Sequence, residues 1–261
     1  MFTPPEVVTE KVLAPRSVSD GSPKEIPLFV AKPKENGSGP RPALLLLQEA
    51  FGVNHHIQDV CERYARLGYV VVSPDFYYRA GHWKAYDYNN FQETVQLREE
   101  LTEPKLLGDL SAALDYIAQL DGVDSARIGV LGYCMGGRLS FVTACHFSDR
   151  IRGAAIYYGG GLTAASPQFP IPPVQQAERI QVPVVGFFGG QDKGIPKEAV
   201  EEIEQALAKA NVEHRIYFYP AAGHGFFCNE RPAYDPSAAQ DAWLRTVSFF
   251  ERQLGPVDPA V

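Results

Sequence analysis

The chain has 261 residues, of which 45% are hydrophobic and 21% charged, and its formal net charge is −7 at pH 7. This length suits one large α/β domain or two small ones and supplies enough apolar material for a substantial core. The acidic balance argues against nucleic acid and anionic membranes as partners, because both attract basic surfaces, although it is compatible with a local basic pocket.

The sequence gives no indication of a membrane-spanning or secretory segment. The longest apolar run near the start covers only residues 43–47, far short of a membrane span. Residues 1–10 lack a basic region followed by an apolar one, so we expect no signal peptide. The cysteines show neither CxxC pairing nor a metal-binding spacing, which is typical of a reducing compartment, and we expect a cytoplasmic protein. They are Cys61, Cys134, Cys145 and Cys228.

Strand and helix patterns alternate along the first half of the chain. The run 43–47 is of the buried parallel-strand type. Residues 76–90 are aromatic and irregular, which fits a substrate-facing loop and a packed Ω-loop equally well. The patterns predict strands over residues 7–13, 26–31, 43–47 and 69–72, and helices over residues 57–66, 91–101 and 105–120.

The centre of the chain is Gly132-Tyr133-Cys134-Met135-Gly136-Gly137, which lies between a predicted strand over residues 127–131 and a helical pattern that runs to residue 146. A strand, a Gly-x-nucleophile-x-Gly turn and a helix form the nucleophile elbow of α/β-hydrolases, here with Cys in place of Ser. The helix that starts at Met135 points its free N–H groups at the sulfur, which favours the thiolate. On its own, Cys134 would more often be a buried structural cysteine.

The alternation continues to the end of the chain, with no linker long enough to mark a second domain. It predicts a single domain over residues 1–261, built on an open, mostly parallel sheet with helices on both faces. The remaining predicted elements are strands over residues 151–158, 182–188 and 214–219, and helices over residues 197–210 and 236–253.

Four reactive side chains lie just past the carboxyl ends of predicted strands, where parallel sheets bind ligands: Glu49, Cys134, Asp192 and His224. The order Cys134, Asp192, His224 matches the nucleophile–acid–histidine order of α/β-hydrolases. In such a triad the histidine takes the nucleophile's proton and the carboxylate orients the histidine. Alone, Asp192 could be a turn former and His224 a surface histidine, but the joint pattern favours catalysis.

From about residue 26 to its C-terminus, the chain resembles the dienelactone hydrolases (carboxymethylenebutenolidases). The resemblance implies an α/β-hydrolase fold without a large cap domain, and no metal or cofactor. The matching stretches are Gln48-Glu49-Ala50-Phe51-Gly52-Val53-Asn54, Pro74-Asp75-Phe76-Tyr77, Gly132-Tyr133-Cys134-Met135-Gly136-Gly137, Tyr157-Tyr158-Gly159, Gly189-Gly190-Gln191-Asp192 and Ala222-Gly223-His224.

The resemblance also implies a role for each matching residue. Cys134 would attack a lactone carbonyl, with His224 as base and then acid and Asp192 as its orienting partner. The backbone N–H groups of Met135 and Ala50 would form the oxyanion hole, a placement that fits the general pattern of such donors.

Glu49 is the unusual feature of this family. In relatives the corresponding carboxylate pairs with the cysteine in the resting enzyme and takes part in thiolate formation when substrate binds. The alternative interpretation is a solvated carboxylate beside a strand end.

Dienelactone carries a carboxylate, and characterised relatives bind it with arginines, one of them a few residues after the catalytic histidine. Here Cys228 occupies the place of that basic residue and Arg231 is displaced along the chain. Arg79 is the other candidate and Arg98 a weaker one, although such arginines more often form surface salt bridges. Further candidate substrate contacts are Tyr158 and Phe226, and Cys228 either lines the pocket or fills space beneath Phe226.

The sequence therefore predicts a cysteine hydrolase for small lactones or esters, with 4-carboxymethylenebut-2-en-4-olide to maleylacetate as the type reaction. One alternative is a broader carboxylesterase or thioesterase with the same three residues. Another is a non-hydrolytic module whose Cys134 senses oxidants or binds a ligand, although a sensor needs no oriented acid–base pair. We expect a monomer or a weak homodimer that binds neither nucleic acid nor membrane.

Overall fold

The computed structural model describes residues 6–17, 20–34 and 39–257, which form an α/β-hydrolase fold around one eight-stranded sheet. The strands lie in the order β1-β2-β4-β3-β5-β6-β7-β8. Their bounds are Val7–Pro15 (β1), Glu25–Pro33 (β2), Arg41–Leu47 (β3), Val70–Pro74 (β4), Val123–Tyr133 (β5), Ala154–Tyr157 (β6), Val184–Gly189 (β7) and His214–Tyr219 (β8).

The α-helices connect these strands and cover the sheet. Helix α4 follows β5 directly and contacts β3, β5 and β6, whereas α6 lies against β5 and β7. The helices of the described residues are His55–Arg66 (α1), Val95–Glu99 (α2), Glu103–Gln119 (α3), Met135–His146 (α4), Lys197–Lys209 (α5) and Pro236–Leu254 (α6).

The sheet is antiparallel at one edge and parallel elsewhere. Strands β1, β2 and β4 pair antiparallel, while β4, β3, β5, β6, β7 and β8 pair parallel. Every residue of β3 is buried, because helices shield both faces of a central parallel strand. The parallel strands therefore end at one common edge, and the predicted site residues follow four of them.

The predicted strands and helices correspond to observed ones, and three of them differ by more than two residues at an end or in continuity. The strand predicted over 127–131 is longer because Val123 also pairs with Arg41 of β3. The strand predicted over 151–158 is shorter, since residues 151–153 form a bend before it and Tyr158 leaves it with φ of 36°. The helix predicted over 91–101 is split into a 3₁₀ turn and the short α2, which has no buried residue to anchor a longer helix.

The aromatic segment 76–90 begins as packed structure. Phe76, Tyr77 and Tyr78 are buried, and the Tyr77 hydroxyl donates to the Ala50 carbonyl at 2.7 Å. This contact ties the segment to the loop after β3.

No helix among the described residues combines the length and the apolar character needed to cross a lipid bilayer.

Candidate active site

Cys134, Asp192 and His224 line one pocket of about 430 Å³ at the carboxyl edge of the sheet. Cys134 follows β5, Asp192 lies in the turn after β7, and His224 lies in the loop after β8. Ala50 and Met135, the predicted oxyanion-hole residues, line the same pocket. The structure thus brings together side chains that are up to 90 residues apart in the chain.

The turn at Cys134 has a strained backbone. Cys134 has φ of 55° and ψ of −113°, a conformation that non-glycine residues rarely adopt. The neighbouring glycines are required by close packing, because a Cβ on Gly136 would clash with the Leu47 carbonyl and one on Gly132 would clash with Gly136 itself. The result is a sharp reversal that holds the sulfur at the start of α4, facing the pocket.

A chain of hydrogen bonds joins the three side chains. His224 Nε2 lies 3.1 Å from Cys134 Sγ, and His224 Nδ1 lies 2.6 Å from Asp192 Oδ2. The other oxygen of Asp192 accepts a hydrogen bond from the Gly194 N–H at 2.8 Å, which fixes the carboxylate. This arrangement can hold the imidazole in one tautomer, so that Nε2 can take the proton of the Cys134 thiol while Asp192 stabilises the resulting imidazolium.

The electrostatics of the pair favour a thiolate and an imidazolium. Burial raises the pKa of the Cys134 thiol, but the charge and hydrogen bond of His224 outweigh it, so the pKa lies below its ordinary value. Burial lowers the pKa of His224, but the sulfur and Asp192 outweigh it, so this pKa is raised. Both shifts stabilise the charged pair near neutral pH, which is the reactive form of a cysteine nucleophile.

Two residues that line the pocket have backbone amides with no acceptor among the described residues. Met135 is the first residue of α4, so its N–H has no partner within the helix. The Ala50 N–H donates to none of the described residues, and the Ala50 carbonyl is fixed by Tyr77. Both residues line the pocket beside Cys134, a placement suited to donors for a developing oxyanion.

Glu49 lies next to this group but pairs with Arg231. Its side chain is fully buried, and its Oε1 lies 3.4 Å from Arg231 Nη1. Its Oε2 has no hydrogen-bond partner among the described residues. The positive charges of Arg231 and His224 lower the pKa of Glu49, but burial raises it by more, so the pKa lies above its ordinary value. The cysteine–glutamate pairing implied by the resemblance is therefore not the contact seen here, where Cys134 pairs with His224.

The structure does not bring Arg79 into the pocket. Its guanidinium forms two hydrogen bonds with Asp109 of α3, at 2.8 and 2.9 Å, and a third with Ser22. Arg16 contacts the same carboxylate at 2.7 Å. Arg79 thus belongs to a buried ionic cluster. The expectation that it binds substrate overlooked Asp109, which lies 30 residues further along the chain.

Tyr158 and Phe226 pack around His224 rather than lining the pocket. The Tyr158 ring meets the His224 ring edge-on at 5.2 Å, and Phe226 meets Tyr158 at the same distance. Both side chains are fully buried. Cys228 is also buried, with its sulfur 3.2 Å from the Tyr88 hydroxyl. These side chains support the histidine and the Glu49–Arg231 pair.

The pocket also contains two arginines, Arg98 and Arg138. Arg98 was the weaker sequence candidate, and Arg138 was missed by the sequence analysis. The signal for Arg138 was its position four residues after Cys134, one helical turn along α4. Its backbone N–H donates to the Cys134 carbonyl at 3.2 Å.

Among the described residues, no group of three or more His, Cys, Asp or Glu side chains is arranged to hold a metal ion.

Comparison with known proteins agrees with the geometry. The model of the dienelactone hydrolase family matches residues 26–254. A Yersinia pestis protein named "Putative carboxymethylenebutenolidase" is 37% identical over 230 residues, which cover 87% of this chain and 83% of that protein. The carboxymethylenebutenolidase of Rhodococcus opacus is 32% identical over 223 residues, 84% of each chain.

Solved structures show the same fold. The crystal structure of a Klebsiella pneumoniae protein named "Putative Dienelactone Hydrolase" superposes with a TM-score of 0.84 at 31% identity, covering 95% of this chain and 99% of that one. A dienelactone hydrolase-like promiscuous phosphotriesterase from metagenomic libraries superposes with a TM-score of 0.78 at 22% identity, covering 95% and 99% of the two chains, which is a likeness of fold alone.

Replacing His224 with Gln should shift the ionisation of Cys134 to higher pH. Burial then raises the thiol pKa without the opposing imidazolium. We expect the pH midpoint of iodoacetamide alkylation to lie below 9.0, the ordinary thiol value, in the wild type and above it in His224→Gln. Cys134→Ala supplies the background rate, because Cys61, Cys145 and Cys228 are buried with raised pKa values. Equal midpoints in both proteins would contradict the ion pair.

Replacing Glu49 with Gln should shift the ionisation of Cys134 to lower pH. The carboxylate raises the pKa of Cys134 and Arg231 lowers it, so removing the negative charge leaves a net cation beside the thiol. We expect the alkylation midpoint to fall below the wild-type value. Glu230→Gln, which loses only a surface pair with His55, serves as the control. A midpoint that rises instead would indicate that Glu49 assists ionisation as a base.

Proposed function

The chain belongs to the dienelactone hydrolase family, and we propose that it uses Cys134 as a nucleophile to open lactones of the dienelactone type and related esters. The observation that carries this proposal is the contact from Asp192 through His224 to Cys134, with distances of 2.6 and 3.1 Å. The backbone amides of Ala50 and Met135, which line the same pocket, have no acceptor among the described residues. The name of the Rhodococcus opacus relative supports the lactone substrate.

Acylation begins at the sulfur. The Cys134 thiolate attacks the carbonyl carbon and forms a C–S bond, while the π electrons move onto the carbonyl oxygen. The N–H groups of Ala50 and Met135 donate to this oxyanion. Collapse of the tetrahedral intermediate breaks the ring C–O bond and leaves a thioester. The released oxygen departs as an enolate from a dienelactone, whereas an alkoxide takes the proton of the His224 imidazolium.

Deacylation returns the thiolate. Water attacks the thioester carbonyl and gives up a proton to neutral His224, or to the enolate where the opened lactone still carries it. The same amides hold the second oxyanion, and its collapse expels the Cys134 thiolate and releases the acid. Asp192 keeps the imidazole oriented and stabilises it in its charged form, in the way the triad of a serine hydrolase requires.

One observation favours a broader specificity as the second candidate. Arg231, the nearest basic residue after His224, is engaged by Glu49, and Cys228 stands where an arginine is expected. A carboxylesterase or thioesterase with neutral substrates would need no arginine there. The non-hydrolytic alternative receives no such support, because a sensing cysteine needs neither the Asp192 contact nor the amide donors.

The proposal is tested by following the ring opening of 4-carboxymethylenebut-2-en-4-olide through its ultraviolet absorbance. We expect turnover by the wild type and a loss on the order of 10⁴-fold or more in Cys134→Ala, because a removed nucleophile disables the whole group. Cys145→Ala, which loses a buried cysteine on the same helix, should keep its rate.

Two other outcomes would change the assignment. Turnover that survives in Cys134→Ala would refute the nucleophile. No turnover of the lactone by the wild type, together with Cys134-dependent cleavage of neutral aryl esters, would favour the broader esterase.

A further inference from the structure

The Ala50 amide, one of the two proposed oxyanion donors, lies in a loop with few internal hydrogen bonds. The peptide that carries this N–H also carries the Glu49 carbonyl, which accepts a hydrogen bond from the Gly52 N–H at 3.4 Å. A bond of that length lies beyond the usual range for N–H···O and holds the peptide weakly. The direction of the Ala50 amide therefore depends on contacts from outside the loop.

Tyr77 supplies a short contact of this kind. Its hydroxyl donates to the Ala50 carbonyl at 2.7 Å. The neighbouring bond, from the Phe76 N–H to the Gln48 side chain, is longer at 3.3 Å. The two peptide planes beside Ala50 meet at its Cα and turn only about φ and ψ, so a fixed carbonyl limits how far the preceding N–H can swing.

The same hydroxyl contacts the residue that carries the other proposed donor. Tyr77 Oη lies 4.0 Å from the sulfur of Met135, the first residue of α4. Tyr77 and Met135 are both buried, so water has little access to this contact. One buried oxygen atom thus touches both residues whose backbone amides would form the oxyanion hole.

Tyr77 is itself held in place on its own segment. Its backbone N–H donates to Asp75 Oδ1 at 3.0 Å, in the turn after β4. Two residues further on, Arg79 is paired with Asp109 of α3 at 2.8 Å. Burial raises the pKa of the Tyr77 hydroxyl, so the group keeps its proton and remains a donor at neutral pH.

We propose that Tyr77 is a positioning residue for the oxyanion hole, whose hydroxyl keeps the Ala50 amide directed at the reacting carbonyl. This inference rests on the proposed function of Cys134 and adds to it a residue outside the pocket. Of the described residues that line the pocket, none lies in the aromatic segment 76–90, so this segment acts on the reaction through the loop after β3. Preorganised donors stabilise the charge that develops in the transition state, and their displacement slows the chemical step more than it weakens substrate binding.

The test replaces Tyr77 with Phe, which removes the hydroxyl oxygen and keeps the ring. For 4-nitrophenyl acetate we expect kcat to fall by about ten- to a hundredfold with little change in KM, less than the loss of a whole oxyanion donor. Alkylation of Cys134 by iodoacetamide forms no oxyanion, so its rate and its pH midpoint should stay at the wild-type values. A residue that only supports the fold would lower both reactions together.

A second measurement reports on the oxyanion hole directly. When the Cys134 thiolate adds to phenyl trifluoromethyl ketone, a C–S bond forms and the π electrons of the carbonyl move onto its oxygen. The resulting anion resembles the tetrahedral intermediate of ester cleavage. The inhibition constant of this ketone should therefore rise in Tyr77→Phe by the same factor by which kcat/KM falls, as expected of a transition-state analogue.

Tyr78→Phe is the matched control, because this neighbouring tyrosine is also buried but its hydroxyl donates to Asp109 at 3.1 Å. We expect it to keep the wild-type kcat. Gln48→Met breaks the adjacent contact with Phe76 and should show the same split with a smaller loss. It keeps the test decisive should Tyr77→Phe fail to fold, since a wild-type kcat in Gln48→Met would then overturn the positioning role.

The outcomes separate this inference from the proposed function. The positioning role would be overturned by an unchanged kcat and ketone inhibition in Tyr77→Phe, by an equal loss of ester cleavage and alkylation, or by the same loss in Tyr78→Phe. Each of these results would leave Cys134 as the nucleophile. A wild type that cleaves neither 4-nitrophenyl acetate nor dienelactone would overturn the proposed function itself.

Discussion

The positive φ of Cys134 is the constraint on which the rest of the site depends. It turns the chain sharply between β5 and α4, so that Cys134 lies at the pocket while Tyr133 before it is fully buried. The turn requires glycine at position 136, which packs directly against the Leu47 carbonyl of β3, and at position 132, which packs against Gly136. A side chain there would separate the helix from the sheet. It would also move the Met135 amide, so the sulfur and one of the proposed oxyanion donors are positioned by the same contact.

The charged groups around the sulfur determine how readily the Cys134 thiol ionises. His224 supplies the cation that favours a thiolate, and Asp192 in turn stabilises the imidazolium. Glu49 works against ionisation of the thiol, and its pairing with Arg231 moderates that effect. Two arginines near the site, Arg231 and Arg79, form ion pairs with the buried carboxylates of Glu49 and Asp109. Arg98 and Arg138 instead stack on the Phe91 and Phe169 rings and have no carboxylate partner among the described residues.

Sequence patterns predicted the fold and the four strand-end residues because both depend on local order. Apolar runs mark buried strands, and a nucleophile motif fixes its own turn. The arginines were harder to assign, since their roles depend on partners far along the chain. Arg79 meets Asp109, and Arg138 stacks on Phe169 in the loop before β7. The helix predicted over 91–101 was too long. The spacing of its apolar residues is helical, but α2 has no buried side chain, and this depends on tertiary packing that the spacing does not report.

The central claim, that Cys134 carries the acyl group, is tested most directly by mass spectrometry of enzyme quenched in acid during turnover of an aryl ester. We expect the acyl mass on the peptide that contains Cys134, and its loss on treatment with hydroxylamine, as is usual for a thioester. An acyl group found on any other peptide, with Cys134 still free during turnover, would refute Cys134 as the nucleophile.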